Sequence, residues 1–325
     1  MNSIGFCGSI IVDSIKTVST WPDQGMLATI SSVRRAVGGV VCNNGIDMKT
    51  LDPSVTVKAF GMVGDDDAGA YAVDRMEKVG LDCSGIVKIQ GVPTSFTDVM
   101  SVETTGARTF FNMHGADSRL TPDDIDPAKL GVELFHFGYL LLLDGMDAED
   151  AEYGTKAARL LAKVQAAGIK TSIDIVSEQS ERFARVVRHA LRYCDYAIVN
   201  EVEGSRATGV PETDLRGICE KFFELGVKEQ VVIHKPEIGV SLKKNGEWAE
   251  VGSLVLPEGW IKGAAGAGDA FCTGMLYSIM KGMSAEEGLR LGSAMSALNL
   301  TVLDGTSGAR SLAETLELDR RFARR

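Results

Sequence analysis

The chain has 325 residues, 45 % of them hydrophobic and 24 % charged, the proportions of a soluble globular protein with one large domain or two ordinary ones. Its 34 Lys and Arg against 44 Asp and Glu leave a net charge of −10, which makes sequence-independent nucleic-acid binding a poor fit and requires any anionic substrate to find a local set of donors or a metal. Six scattered cysteines include no C-x-x-C and read as free thiols of a reducing, cytoplasmic setting, and with no basic leader and no apolar run near the ~20 residues of a bilayer span, neither a membrane nor a nucleic acid is expected as a partner.

Taken in chain order, 4–11 reads as a strand closed by Asp13, 40–50 as a short helix, 55–63 as a strand and 68–79 as a helix. Two stretches around them, 14–37 and 85–116, have another character. Thr, Val and Phe alternate over 94–103 and 108–113 about Thr104-Thr105-Gly106, a pattern of antiparallel strands. These stretches are expected to form a small discontinuous β lid on a single domain spanning 1–325, and its open edge invites pairing into a homodimer. The segment 121–124, Thr-Pro-Asp-Asp, reads as a helix start. Beyond it the apolar runs 134–143, 170–176, 196–199 and 230–234 read as buried strands, alternating with helical periodicity over 149–167, 181–193 and 212–225. Such alternation predicts an α/β fold with a central, mostly parallel sheet and helices on both faces. Ser284-x-x-Glu287 is a capping box that opens a helix to about residue 300.

The most informative stretch is Gly263-Ala264-Ala265-Gly266-Ala267-Gly268-Asp269, which follows an extended segment and precedes a helix-compatible one. A Gly-rich turn entering a helix presents free N–H groups and the positive dipole end, a ready anion site. The spacing is that of a P-loop, but Asp269 stands where a P-loop needs Lys. A carboxylate there suits a group that takes a proton from an attacking hydroxyl; a tight turn capped by Asp is the plain alternative. Asn200 and Glu203 follow the strand 196–199 at the sheet edge where ligands bind in open α/β folds. Spaced i, i+3 they share a face, and their oxygens suit Mg²⁺, directly or through its waters, or else form a helix cap. Gly38-Gly39 lets a ligand approach the backbone and Asn43 both donates and accepts; two turn glycines are the alternative. Asp13 after the first strand could accept from vicinal hydroxyls or simply form a turn.

Together, Asp13, Gly38-Gly39 with Asn43, Asn200-x-x-Glu203 and Gly266-Ala267-Gly268-Asp269 resemble the ribokinase-like (PfkB) carbohydrate kinases, in order and over essentially the whole chain. The resemblance implies a β lid over a sugar site and ATP- and Mg²⁺-dependent phosphorylation of a hydroxymethyl group. Asp269 would be the base and the amides of Gly266, Ala267 and Gly268 the anion hole. Asn200 and Glu203 would organise Mg²⁺ and the phosphates, and Asp13, Gly38, Gly39 and Asn43 would hold the substrate. The family's nucleotide turn corresponds to 234–239, with His234 and Gly239 toward ATP and Pro236 removing one N–H. The family often has Asp-Thr-Thr where this chain has Gly263-Ala264-Ala265, so potassium activation is doubtful. Arg108 could reach a sugar or a phosphate, Arg34 and Arg35 a phosphorylated sugar, and His114 the substrate, whereas His136 reads as a core histidine. A nucleoside is the alternative acceptor, and a non-catalytic sugar-binding protein the alternative class. A dinucleotide-binding oxidoreductase is not supported, because Gly5-Phe6-Cys7-Gly8 does not supply G-x-G-x-x-G.

Overall fold

The continuous apolar runs form strands that feed two cores at once, one on each face of a sheet. The computed structural model describes residues 1–105 and 107–325; Gly106, in the expected lid turn, lies outside the described residues. In chain order, β1 (Ser3–Gly8), β2 (Ile11–Val18) and β3 (Ile30–Gly38) precede α1 (Val40–Leu51), β4 (Thr56–Gly64), α2 (Asp67–Glu77), β5 (Asp82–Ile89), β6 (Phe96–Val102), β7 (Arg108–Met113) and β8 (Leu134–Leu140). A single turn, α3 (Asp144–Asp147), and the short hairpin of β9 (Glu149–Asp150) and β10 (Gly154–Thr155) lead into α4 (Lys156–Ala166). Then come β11 (Lys170–Ile175), α5 (Phe183–Leu191), β12 (Tyr196–Asn200), α6 (Glu201–Thr208), α7 (Leu215–Leu225), β13 (Gln230–His234), β14 (Ile238–Lys243) and β15 (Trp248–Gly252). Three helices close the chain, α8 (Ala267–Lys281), α9 (Ala285–Asn299) and α10 (Leu312–Arg321).

The main sheet has nine strands in the order β15-β14-β13-β12-β11-β8-β1-β4-β5. All neighbours from β13 to β5 are parallel, and β14 and β15 add an antiparallel edge. Successive side chains go to opposite faces. Ile4, Phe6, Leu134, Ile198 and Val232 pack against α1, α8 and α9 through Val41, Leu276 and Leu289. Phe135, Phe137, Val199 and Ile233 pack against α4, α5 and α7 through Leu160, Val187 and Phe222. Among the described residues no helix is long and apolar enough to cross a membrane, and all six cysteines are free, with only Cys83 less than fully buried.

A second sheet, β3-β2-β6-β7, is the lid. Four expectations are corrected here. The strand expected over 4–11 breaks after Gly8, and the chain leaves the main sheet through Ser9 and Ile10 to enter the lid. The lid does not begin at residue 85: β5 pairs in parallel with β4 and is the edge of the main sheet. Its half-exposed alternation imitates a lid strand, and Gly85 admits the Phe60 ring, which a Cβ would strike. The helix expected from 149 begins only at Lys156, where Thr155 caps it by accepting from the Ala158 N–H. The 121–124 segment forms its capping box but only a 3₁₀ turn, whereas Ser284 and Glu287 open the full α9.

Gly8 carries the break between sheet and lid. Its φ is 134°, and a Cβ there would overlap the Gly138 carbonyl oxygen of the neighbouring strand. Gly8→Ala should therefore destabilise the protein by at least about 2 kcal/mol, combining backbone strain with steric overlap. Urea unfolding of the two proteins checks this; an unchanged midpoint refutes it.

Candidate active site

The strands end along one line, and that line is the floor of the site. Tyr139, Asp174, Asn200 and His234 lie at or near the C-terminal ends of β8, β11, β12 and β13, where parallel α/β sheets present side chains to ligands. They open onto a cleft of about 500 Å³ that Glu203, Ala264, Gly266, Gly268, Asp269 and the lid residue Phe110 also line.

Asp269 occupies the first turn of α8, 8 % exposed. Its carboxylate leaves its own helix end and is held from two other elements. Tyr139 Oη donates to Oδ1 at 2.7 Å, and Asn43 Nδ2 donates to Oδ2 at 2.8 Å. Asn44 Nδ2 donates to the Asp269 carbonyl at 3.1 Å. Burial pushes the Asp269 pKa up, and the two donors oppose that shift. Asp174 is also raised, by burial and by the charges of Asp269 and Glu203, with only the Ile175 N–H donating to it. With two side-chain donors against a single backbone N–H, Asp269 is the better placed of the two to be ionised and to accept a proton.

The turn before α8 leads directly into the helix, with Gly266 as its cap. Gly266 caps the helix at φ 74°, and a Cβ there would sit 2.6 Å from Gly305 Cα. Asn299 Nδ2 holds the Ala265 carbonyl at 2.8 Å. The Ala267 N–H, expected in the anion hole, turns back onto the Ala264 carbonyl at 3.3 Å. Gly268 and Asp269 supply the first-turn N–H groups that a helix start leaves free. His234 lies beside them, its ring 4.8 Å from that of Phe271. Burial lowers its pKa to about 4, so at neutral pH it carries no charge.

Asn200 and Glu203 are both a helix cap and part of the cleft wall. Asn200 Oδ1 accepts from the Glu203 N–H at 2.8 Å, and Glu203 Oε2 accepts from the Asn200 N–H at 3.0 Å. Ser177 Oγ donates to Glu203 Oε1 at 2.6 Å. Burial pushes Glu203 up to about 7.

The remaining candidates surround the cleft. Asp13, on β2, lies against Gly38, where a Cβ would be 2.7 Å from Oδ2. Burial raises its pKa to about 6 against a hydrogen bond from Thr97. Gly39 packs on the Ser9 carbonyl. Asn43, expected on substrate hydroxyls, spends its amide on Asp269, while its Oδ1 is buried without a partner. Arg108 reaches from the lid to Gly263. Gly239, in β14, pairs with His234 across the β13–β14 turn, and a Cβ there would press on Phe271 and Leu289. His114 contacts Asp144 at 3.1 Å, and His136 is a core residue bonded to Ser172. Tyr139, Asn44, Asp174, Ser177 and Asn299 were not anticipated. Of these, Tyr139 and Asp174 carried a usable signal, since each polar group ends an apolar strand.

A helix-start anion cradle with a donor-held carboxylate beside it, under a lid that can shut out water, is a layout suited to phosphoryl transfer onto an alcohol. The chain belongs to the pfkB family of carbohydrate kinases, whose profile matches residues 1–311. A ribokinase of Arabidopsis thaliana is 23 % identical over 301 residues, covering 91 % of this chain and 75 % of its own. An ATP-dependent ribose-1-phosphate kinase of Halopiger xanaduensis is 24 % identical over 311 residues, 94 % of this chain and 92 % of that one. Among solved structures, Arabidopsis thaliana ribokinase complexed with ribose and ATP matches with a TM-score of 0.81 at 18 % identity, over 98 % of this chain and 99 % of that chain.

Proposed function

We propose that this sugar kinase transfers the γ-phosphoryl group of ATP to a primary hydroxyl of its acceptor, with Asp269 as general base. The observation that carries the reading is the Asp269 carboxylate, buried at the start of α8 and held by Tyr139 and Asn43 beside the free Gly268 and Asp269 amides. The solved relative with ribose and ATP supports the choice of donor.

The acceptor lies between the lid and α1, where Asp13, Gly38 and Gly39 receive its hydroxyls. The nucleotide lies along the ends of β12 and β13, beside Asn200 and the neutral His234. Asp269 orients the hydroxyl and takes its proton late. With a reference pKa of about 3.9, even raised by burial, a carboxylate is far too weak a base to form a free alkoxide in advance, and a loose transition state does not require one. The Gly268 and Asp269 amides receive charge that develops on the phosphoryl oxygens. The lid keeps water, a competing acceptor, out of the cleft.

The donor set fits a divalent cation. Asp174, Glu203 and Asp269 crowd one cleft, and no cationic side chain is among the groups acting on any of them. Magnesium, when bound, supplies positive charge to the transferring phosphates. Asp174 and Glu203 would hold it, directly or through water, with Asn200 fixing Glu203 by the helix cap.

Asp269→Asn should fold normally and lose roughly 10²–10⁴-fold in kcat, since the amide cannot accept the proton. Wild-type turnover in a purified variant with an unchanged unfolding midpoint overturns the base assignment. Tyr139→Phe tests the same carboxylate through pH. The ionised base is required, so activity falls as pH drops through its pKa. Removing a donor that favours the ionised form raises that pKa further. The acid limb of the kcat–pH profile should move to higher pH, whereas a purely structural Tyr139 leaves the limb in place.

Potassium should stimulate turnover little. Positions 263 and 264 offer no side-chain oxygen, and the Arg108 guanidinium lies against Gly263. Rates compared in potassium, sodium and a bulky organic cation at one ionic strength decide it; a several-fold rise specific to potassium contradicts the expectation.

A further inference from the structure

The two faces of the lid treat their charges differently. The ladder β3-β2-β6-β7 sets Arg34 opposite Ile15, Ile15 opposite Val99 and Val99 opposite Phe110. Because side chains alternate, Arg34, Asp13, Thr97, Phe110 and Arg108 share one face. That face looks into the site: Phe110 lines the cleft, and Arg108 lies against Gly263 in the loop leading to α8. On the other face every prominent cation has a partner. Arg35 stacks over Tyr71 with its guanidinium carbon 4.5 Å from the ring centre, and Lys16 pairs with Asp98 at 2.5 Å.

The inner face has no such compensation. Arg108 Nη2 is buried without a hydrogen-bond partner. Among the described residues neither Arg34 nor Arg108 forms an ion pair. Burial and the nearby Arg34 charge both lower the Arg108 pKa, and no carboxylate acts on it. Two like charges lie over a cleft whose floor carries Asp174 and Asp269, while Asp13 sits near the start of β2 on the lid's own inner face, in a chain whose net charge is −10. A buried donor left unmade is unfavourable, and a guanidinium satisfies itself best on a carboxylate or phosphate. The site is thus polarised, with cations in the roof and carboxylates in the floor.

We propose that the acceptor sugar carries an anionic group, a carboxylate or a phosphate, and that Arg108 and Arg34 receive it beneath the lid. The inference rests on the kinase reading and narrows its substrate class. Such an acceptor is oriented by the polarity of the site. Its anionic end is drawn to the lid arginines and repelled from the floor, which leaves the hydroxymethyl end for Asp269.

The test uses neutral and anionic acceptors side by side: D-ribose against D-ribose 1-phosphate, and D-glucose against D-gluconate and 2-dehydro-3-deoxy-D-gluconate. Phosphoryl transfer from ATP is followed by product detection, and binding of each sugar without nucleotide by calorimetry. An anionic member should be preferred in kcat/KM by about ten-fold to a hundred-fold, and its binding should weaken as ionic strength rises. Whether gluconates or the phosphate lead identifies the group. Arg108→Gln and Arg34→Gln should each reduce the preference for the anionic over the neutral partner by about ten-fold. A wild-type enzyme that prefers neutral sugars overturns the inference. So does an Arg108→Gln variant in which all acceptors lose kcat alike, because Arg108 then serves the transferring phosphoryl group. Binding of anionic sugars that is lost in the arginine variants, with no phosphoryl transfer to any acceptor, upholds the recognition and overturns the kinase reading. Absence of binding and turnover with every anionic sugar overturns the inference itself.

Discussion

A carboxylate withdrawn from water at the start of α8 governs how this cleft is built. Burial disfavours its charge, and a buried charge persists only where donors are supplied to it. Here they come from two distant parts of the chain, Tyr139 at the end of β8 and Asn43 on α1, with Asn44 fixing the backbone of Asp269 as well. The clamp ties a sheet strand and two helices at one point. Movement of α1 against α8 would leave a buried carboxylate oxygen without its Asn43 donor, so the geometry of the proposed base is coupled to the packing of the two helices. Small residues make the approach possible. Gly305 leaves room for the Asn43 amide, and Gly274 and Gly292 let α8 and α9 meet backbone to backbone.

The surrounding polar groups follow from that constraint. Asp269 is given two side-chain donors and Asp174 one backbone donor, so within a crowded acidic cleft the charge of Asp269 is the better supported. Glu203 is buried yet satisfied by a capping box and by Ser177, so its position is fixed by the protein's own hydrogen bonds. His234, neutral beside the helix start, adds no opposing charge where an anion is to sit. Uncompensated negative charge in the floor calls for a cation, and uncompensated positive charge in the roof calls for an anion. Kinase chemistry brings both together in one complex.

The lid does more than cover this space. Its outer face is closed electrostatically by Arg35 on Tyr71 and Lys16 on Asp98, while its inner face leaves Arg108 open. The strand that enters the lid, β2, is continuous with β1 except for the break at Gly8, and β3 leads directly into α1. The same few residues that join the lid to the main sheet and α1 therefore also carry Asp13, Gly38 and Gly39.

The amino-acid sequence by itself determined the layers and the chemistry of the central motif. Continuous apolar runs such as 134–140 and 230–233 must feed two cores, which dictates a sheet covered on both faces, and Gly266-Ala267-Gly268-Asp269 can only turn tightly into a helix. Capping boxes at Asn200 and Ser284 were legible because their partners lie three residues away. The tertiary structure alone decided what lies far apart in the chain. It placed β5 in the main sheet and not in the lid, because pairing with β4 is a choice of neighbour that an exposed alternating strand does not encode. It packed Phe271 and Leu289 against Gly239, where a larger side chain would press on them. It brought Tyr139 and Asn43 onto Asp269 across separations of 130 and 226 residues, and set Arg108 of the lid against Gly263. Local hydrogen bonding and periodicity act over a few residues and can be read along the chain; burial, charge crowding and the missing partner of a guanidinium exist only once distant segments share one space.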